Sequence, residues 1–173
     1  MSPFSSDEFA YRTIRSVQII VVALALGPIV FAGMILFQRM NKGPQRDAMI
    51  AYLAAGFAVT ALAARGVVGA ATTTAQRKRI AARAWSPGPN AAPVNLTDGD
   101  RFLFVFQQKT IIEAALVEGA TFFVLISFMI AGQWWSLAVA GVLLLFLIVP
   151  FPTYDRVESW VRYQLELMEM ERR

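Results

Sequence analysis

The chain has 173 residues, 57% of them hydrophobic, with a mean hydropathy of +0.52, a formal net charge of +4 and neither Cys nor His. That composition excludes an ordinary soluble domain, and the missing Cys and His exclude disulfides, thiol chemistry, Cys/His zinc sites and His-based acid–base catalysis. The excess of Lys and Arg, without interleaved aromatic residues or a recognisable nucleic-acid module, marks the cytoplasmic side of a membrane protein rather than a nucleic-acid partner.

The polar segment before the first apolar run carries Ser5-Ser-Asp-Glu8, which fits a capping box and starts a helix. Arg12 and Arg15 then precede an apolar run longer than the ~7–15 residues of a signal-peptide core. It reads as a retained first span, residues 16–38. Gly27-Pro28 falls at mid-span, either as a kink or as a broken helix at a transport site. Asn41-Lys-Gly-Pro44 is a turn signal. The second span, 48–71, is rich in small residues, and Gly56, Gly66 and Gly69 mark it as the packing centre of the bundle or of an oligomer. It also carries Arg65.

Residues 72–108 form a cytoplasmic loop in which Arg77, Lys78, Arg79 and Arg83 suit anionic lipid headgroups. Asn95-Leu-Thr97 matches a glycosylation sequon, and Thr97-Asp-Gly-Asp100 is a helix start. Phe102, Phe104 and Phe106 alternate as in a strand, yet an open strand edge is poorly tolerated at a membrane, which favours a helix. The third span, 109–131, leads through Gly132-Gln133 into a fourth, 134–150, with Trp134 and Trp135 at headgroup level. Beyond Pro150-Phe-Pro152, Val157, Trp160, Val161, Leu165 and Met168 recur at helical spacing. They predict an amphipathic helix over 154–171, lying on the membrane surface or on a partner.

The expectation is an all-α polytopic membrane protein: four transmembrane helices as two hairpins, plus a C-terminal amphipathic surface helix. With both termini on one side, that side holds twelve Lys and Arg residues, against three (Arg39, Lys42, Arg46) on the other. Both termini are therefore expected in the cytoplasm, with a bacterial inner membrane as the location. Ala23–Phe31 echoes Ala115–Phe123 at an offset of 92, as if two hairpins descended from one. Leu26 stands where the second copy has Glu118.

Glu118 is the candidate site. Counted from Lys109 at 1.5 Å per residue, it lies about 13 Å into a hydrocarbon layer about 30 Å thick, where an ionisable side chain is expensive and points to function. By the same counting Arg65 lies about 9 Å and Glu113 about 6 Å from the cytoplasmic ends of their spans, which makes them a natural ion pair. Ala115-Leu-Val-Glu-Gly119, with Phe122–Met129 following, resembles the carboxylate-bearing helix of the proteolipid (c) subunit of proton-translocating ATP synthases. That resemblance implies a helical hairpin in which Glu118 binds and releases a transported ion. The loop here is much longer than in that family, and the two further spans have no counterpart in it.

Three roles for Glu118 stay open: an interhelical hydrogen bond to a carbonyl or to Thr121-type hydroxyls, ion or proton exchange, and a lipid-related role. No nucleophile with its base and no cluster of carboxylates suggests catalysis, a metal or a cofactor. The expected function is a non-enzymatic scaffold or subunit assembling through helix packing in the lipid bilayer, as a homo-oligomer or with a membrane partner. The alternative is a proton or ion relay through Glu118.

Overall fold

The computed structural model describes residues 3–39, 48–86 and 96–172. The expected turn at Asn41–Pro44, the stretch 87–93 and Asn95 of the sequon fall outside them. Among the described residues the chain forms five helices: α1 (Asp7–Arg39), α2 (Met49–Ala81), α3 (Asp98–Ala131), α4 (Trp134–Ile148) and α5 (Tyr154–Arg172). The first three contain segments long and apolar enough to cross a membrane; α4 is apolar but only 15 residues long.

The helices outrun the apolar segments. No Gly or Pro interrupts the chain from Ala70 to Arg83, so α2 continues to Ala81, and α3 already begins at Asp98. Much of 72–108 is thus helix rather than loop. Arg83, at φ 54°, ends α2 in a left-handed turn: its N–H bonds to the Ile80 carbonyl at 3.0 Å and the Ala84 N–H to the Arg79 carbonyl at 2.9 Å. The expected capping box of Ser5 and Glu8 gives way to a single cap from the next residue. Ser6 receives the Phe9 N–H at 3.4 Å, while Glu8 pairs with Arg12 at 2.5 Å.

The chain divides into two compact units. The first takes Met1–Gln18, Val68–Ile111 and Pro152–Arg173. Its core joins Ile14, Ile80, Phe102, Leu103 and Val105 to Val157, Val161 and Met168 of α5. This corrects the expectation for α5: its apolar stripe is buried within the unit and is not left for a bilayer or a partner. Arg77 donates to Glu171 at 2.7 Å and to Gln164 at 3.3 Å, and Arg172 lies 3.3 Å from Asp98. Phe102 and Phe106, one turn apart, both meet the Trp160 ring, at 6.4 and 5.3 Å between centroids. Phe104 meets Phe9 and Trp85. The alternating aromatics are therefore spread over two faces of a helix.

The start of α3 anchors the N-terminal segment of this unit. Asp100 is fully buried; it accepts the Thr97 N–H and hydroxyl at 3.0 and 2.7 Å and the Ser5 N–H at 3.2 Å. Its own N–H donates to Thr97 Oγ1 at 3.2 Å, which closes a capping box. Gly99 lies against the Pro3 carbonyl so closely that a Cβ there would collide with backbone.

The second unit takes Ile19–Val67 and Ile112–Phe151. On α2, Ala51, Ala54, Ala58 and Ala61 are buried at one-turn spacing, and all but Ala51 join Val117, Ala120, Val124, Leu125 and Phe128 of α3 and Ala140, Leu143 and Leu147 of α4 in one core. Small side chains let these helices approach closely. Gly132, at φ 70°, turns the chain from α3 into α4 with its N–H on the Phe128 carbonyl at 2.9 Å.

Replacing Gly99 by Ala should cost about 1–3 kcal/mol, because the new methyl meets backbone rather than a side chain that can move aside. Thermal unfolding of the detergent-solubilised protein, followed by tryptophan signals, checks this. An unchanged midpoint would mean that the Pro3 contact does not constrain the fold.

Candidate functional site

The polar groups of the second unit are few, and two of the three named by sequence come together. Arg65 Nε of α2 lies 3.6 Å from Glu113 Oε2 of α3, with both side chains under one-fifth exposed. The third element is a carbonyl that counting depth does not reveal: Arg65 Nη1 donates to the Phe146 carbonyl of α4 at 2.7 Å. Four residues after Phe146 stands Pro150, which has no N–H, so this carbonyl has no α-helical donor. Arg65 supplies one, and its positive charge at the C-terminal end of α4 also complements the helix dipole. One side chain thus joins three helices.

Glu118 stands apart from this group. It lies five residues along α3 from Glu113, an axial separation of about 7.5 Å, and is half-buried. Among the described residues it has neither an ion-pair nor a hydrogen-bond partner. Its surroundings come from α1. An ideal Cβ built on Gly27 would lie 3.4 Å from Glu118 Oε1 and 3.3 Å from the Phe122 ring, so the carboxylate rests on bare helix backbone. Phe31 of α1 and Phe122 of α3 pack at 5.4 Å between centroids. Thr121 is not its partner: that hydroxyl is fully buried and donates to the Val117 carbonyl at 2.7 Å. Beside Glu118 in sequence, Gly119 lines an apolar cleft of about 410 Å³ with Phe57, Phe122, Phe123 and Ile126.

Other expected site residues are distributed differently. Gly56 and Gly66 have nothing within 4 Å of where a Cβ would be, and both are exposed. Packing within the chain is done by the alanine face of α2. Gly69 is buried in the first unit, where its carbonyl accepts the Thr73 hydroxyl at 2.8 Å. Of the basic residues assigned to headgroups, Arg77 is bound to Glu171 and Gln164, whereas Lys78, Arg79 and Arg83 are exposed. The echo at offset 92 relates helices of similar length, α1 with 33 residues and α3 with 34, but the helices that follow them, α2 and α4, have 33 and 15.

Among the described residues no group of three or more Asp and Glu side chains is arranged to hold a metal ion. The chain matches no protein-family model, no curated protein and no solved structure. Glu113 holds a cation in place. Glu118 is an acid set against a backbone that carries a proline.

Removing the Arg65 side chain leaves a half-buried carboxylate without this cation and the Phe146 carbonyl without this donor. Arg65→Leu should cost about 3 kcal/mol of stability, and Arg65→Lys less, since the charge survives but the two-pronged geometry does not. Denaturant titration in micelles reads both; equal losses would show that charge alone matters.

Proposed function

We propose that the chain is a non-enzymatic integral membrane protein that assembles through helix packing, as a scaffold or as a subunit of a membrane complex. The observation carrying this reading is the outer face of α2. Gly56, Ala63 and Gly66 are exposed, and the two glycines meet nothing within the chain. A second helix can approach such a surface closely, and in lipid that close approach is what drives association. A second copy of the chain is the simplest partner.

In this reading α1 to α4 all cross the bilayer as two hairpins, with both termini in the cytoplasm of a bacterial inner-membrane protein. The 15 residues of α4 rise only about 22 Å, against a hydrocarbon layer of about 30 Å. Its C-terminal carbonyls then end within the layer, where Arg65 does what water would do at a surface. Lys78, Arg79 and Arg83 face the anionic headgroups of the cytoplasmic leaflet.

Gly56→Leu together with Gly66→Leu should weaken self-association about tenfold, or about 1.4 kcal/mol, while leaving the thermal midpoint of the solubilised chain unchanged. Energy transfer between labelled copies diluted into liposomes measures it. Undiminished transfer would refute assembly through this face.

A second reading is favoured by the isolation of Glu118. A carboxylate without an ionic partner, on a helix long enough to span, suits a proton or ion relay, as in the proteolipid c subunit that its sequence neighbourhood resembles. Glu118→Gln should then abolish proton uptake into liposomes while folding and assembly persist. Uptake equal to that of the wild type would end the relay reading.

A further inference from the structure

Two prolines in the second unit act on the backbone in the same way. Pro150 leaves the Phe146 carbonyl without its donor, and the Arg65 guanidinium takes its place at 2.7 Å. Pro28, inside α1, does the same to the carbonyl of Leu24, four residues earlier. In hydrocarbon a freed carbonyl must find another donor in a neighbouring helix, a side chain or water.

The position of Gly27 bears on that donor. A helical residue's Cβ leans over the preceding turn, where side-chain hydroxyls can bond to the carbonyls of residues i−3 and i−4. For Gly27 these are Leu24 and Ala23, and Leu24 is the one that Pro28 has freed. Two groups reach this space, the Phe122 ring at 3.3 Å and the Glu118 carboxyl, with Oε1 at 3.4 Å, from where the Gly27 Cβ would be, and of the two the carboxyl can carry a proton.

We propose that Glu118, Gly27 and Pro28 form an interhelical proton-binding site in which the protonated carboxyl donates its hydrogen to the Leu24 carbonyl. Each residue has a separate part. Pro28 creates the acceptor, Gly27 leaves the approach to it open, and Glu118 brings the proton. Phe31 and Phe122, packed at 5.4 Å, border the site with rings that offer no competing acceptor. The proton moves between a carboxyl oxygen and its carrier, and no other bond is made or broken. Once it leaves, two acceptor oxygens face each other across α1 and α3 with no hydrogen between them, so loading the site draws the helices together and emptying it loosens them.

The charged surroundings are sparse. Between Ile19 and Gln38, α1 has no charged residue, and α4 has none. On α2 the facing cation is Arg65 and on α3 the other acid is Glu113, and these two are paired at 3.6 Å. The phenol of Tyr52 packs on Trp135. The proposal rests on the relay reading for its physiological use, since a relay needs a defined loaded state.

Infrared spectroscopy of the full chain in lipid nanodiscs tests it, on variants whose helical circular dichroism matches the wild type. The wild type should show a protonated-carboxyl stretch that Glu118→Gln removes. That band should move to higher frequency in Pro28→Ala, where residue 28 regains an N–H for Leu24, and in Gly27→Leu, where a side chain fills the approach. Either variant alone suffices if the other misfolds. The absence of any band sensitive to Glu118→Gln, or a band unmoved in the variants, overturns the proposal. An unmoved band with proton uptake intact refutes the Leu24 bond and leaves the relay reading standing. A shifted band without uptake supports the bond and refutes the relay.

Discussion

A backbone carbonyl that lacks a donor is costly away from water, and the Arg65 cluster is organised around meeting that cost. Arg65 answers it for Phe146 and, through Glu113, has its own charge answered in turn. The short helix α4 can end where it does because a guanidinium from α2 closes its last turn. Remove that donor and three helices lose a common point. The alanine face of α2 makes the arrangement possible by bringing the helices close enough for one long side chain to reach both neighbours.

The first unit solves the same problem with more polar means. Buried Asp100 gathers the N–H groups of Thr97 and Ser5, and Gln18 Nε2 donates to the Pro152 carbonyl at 2.7 Å. Around them, aromatic side chains from α1, α3 and α5 build a core with ion pairs at its margin. Charged residues are plentiful here and scarce in the second unit, so the two differ in the surroundings that each can tolerate.

What could be read from sequence follows what the helix makes regular. Rise per residue is constant, so depth can be counted, and that counting puts Arg65 and Glu113 at similar levels, where the structure has them 3.6 Å apart. Apolar runs locate three long helices but not their ends. Hydropathy follows the surroundings of a segment, whereas α2 continues to Ala81 simply because nothing interrupts its backbone. The periodicity of α5 was legible; its partner was not, because a stripe shows that something is covered without showing what covers it. The Phe146 carbonyl escaped a side-chain reading altogether. Its signal was Pro150 four residues later, and Pro28 makes the same mark above Leu24. For Gly56 and Gly66 the residues left the bundle and an oligomer open as partners; within the chain alanine packs the helices, and these two glycines are exposed.

The first unit is assembled from three separated stretches of chain, and this bears on when it can exist. Gln18 meets Pro152 across 134 residues, and the Tyr154 hydroxyl meets Asp7 across 147. Contacts of such separation pay their loop-closure entropy before they return any stability. During synthesis the aromatic faces of α1 and α3 must therefore wait for α5, while every stretch of the second unit has already emerged. The order of folding is written into the connectivity: the apolar unit can close first, and the polar-edged unit is sealed only by α5, which is made after it.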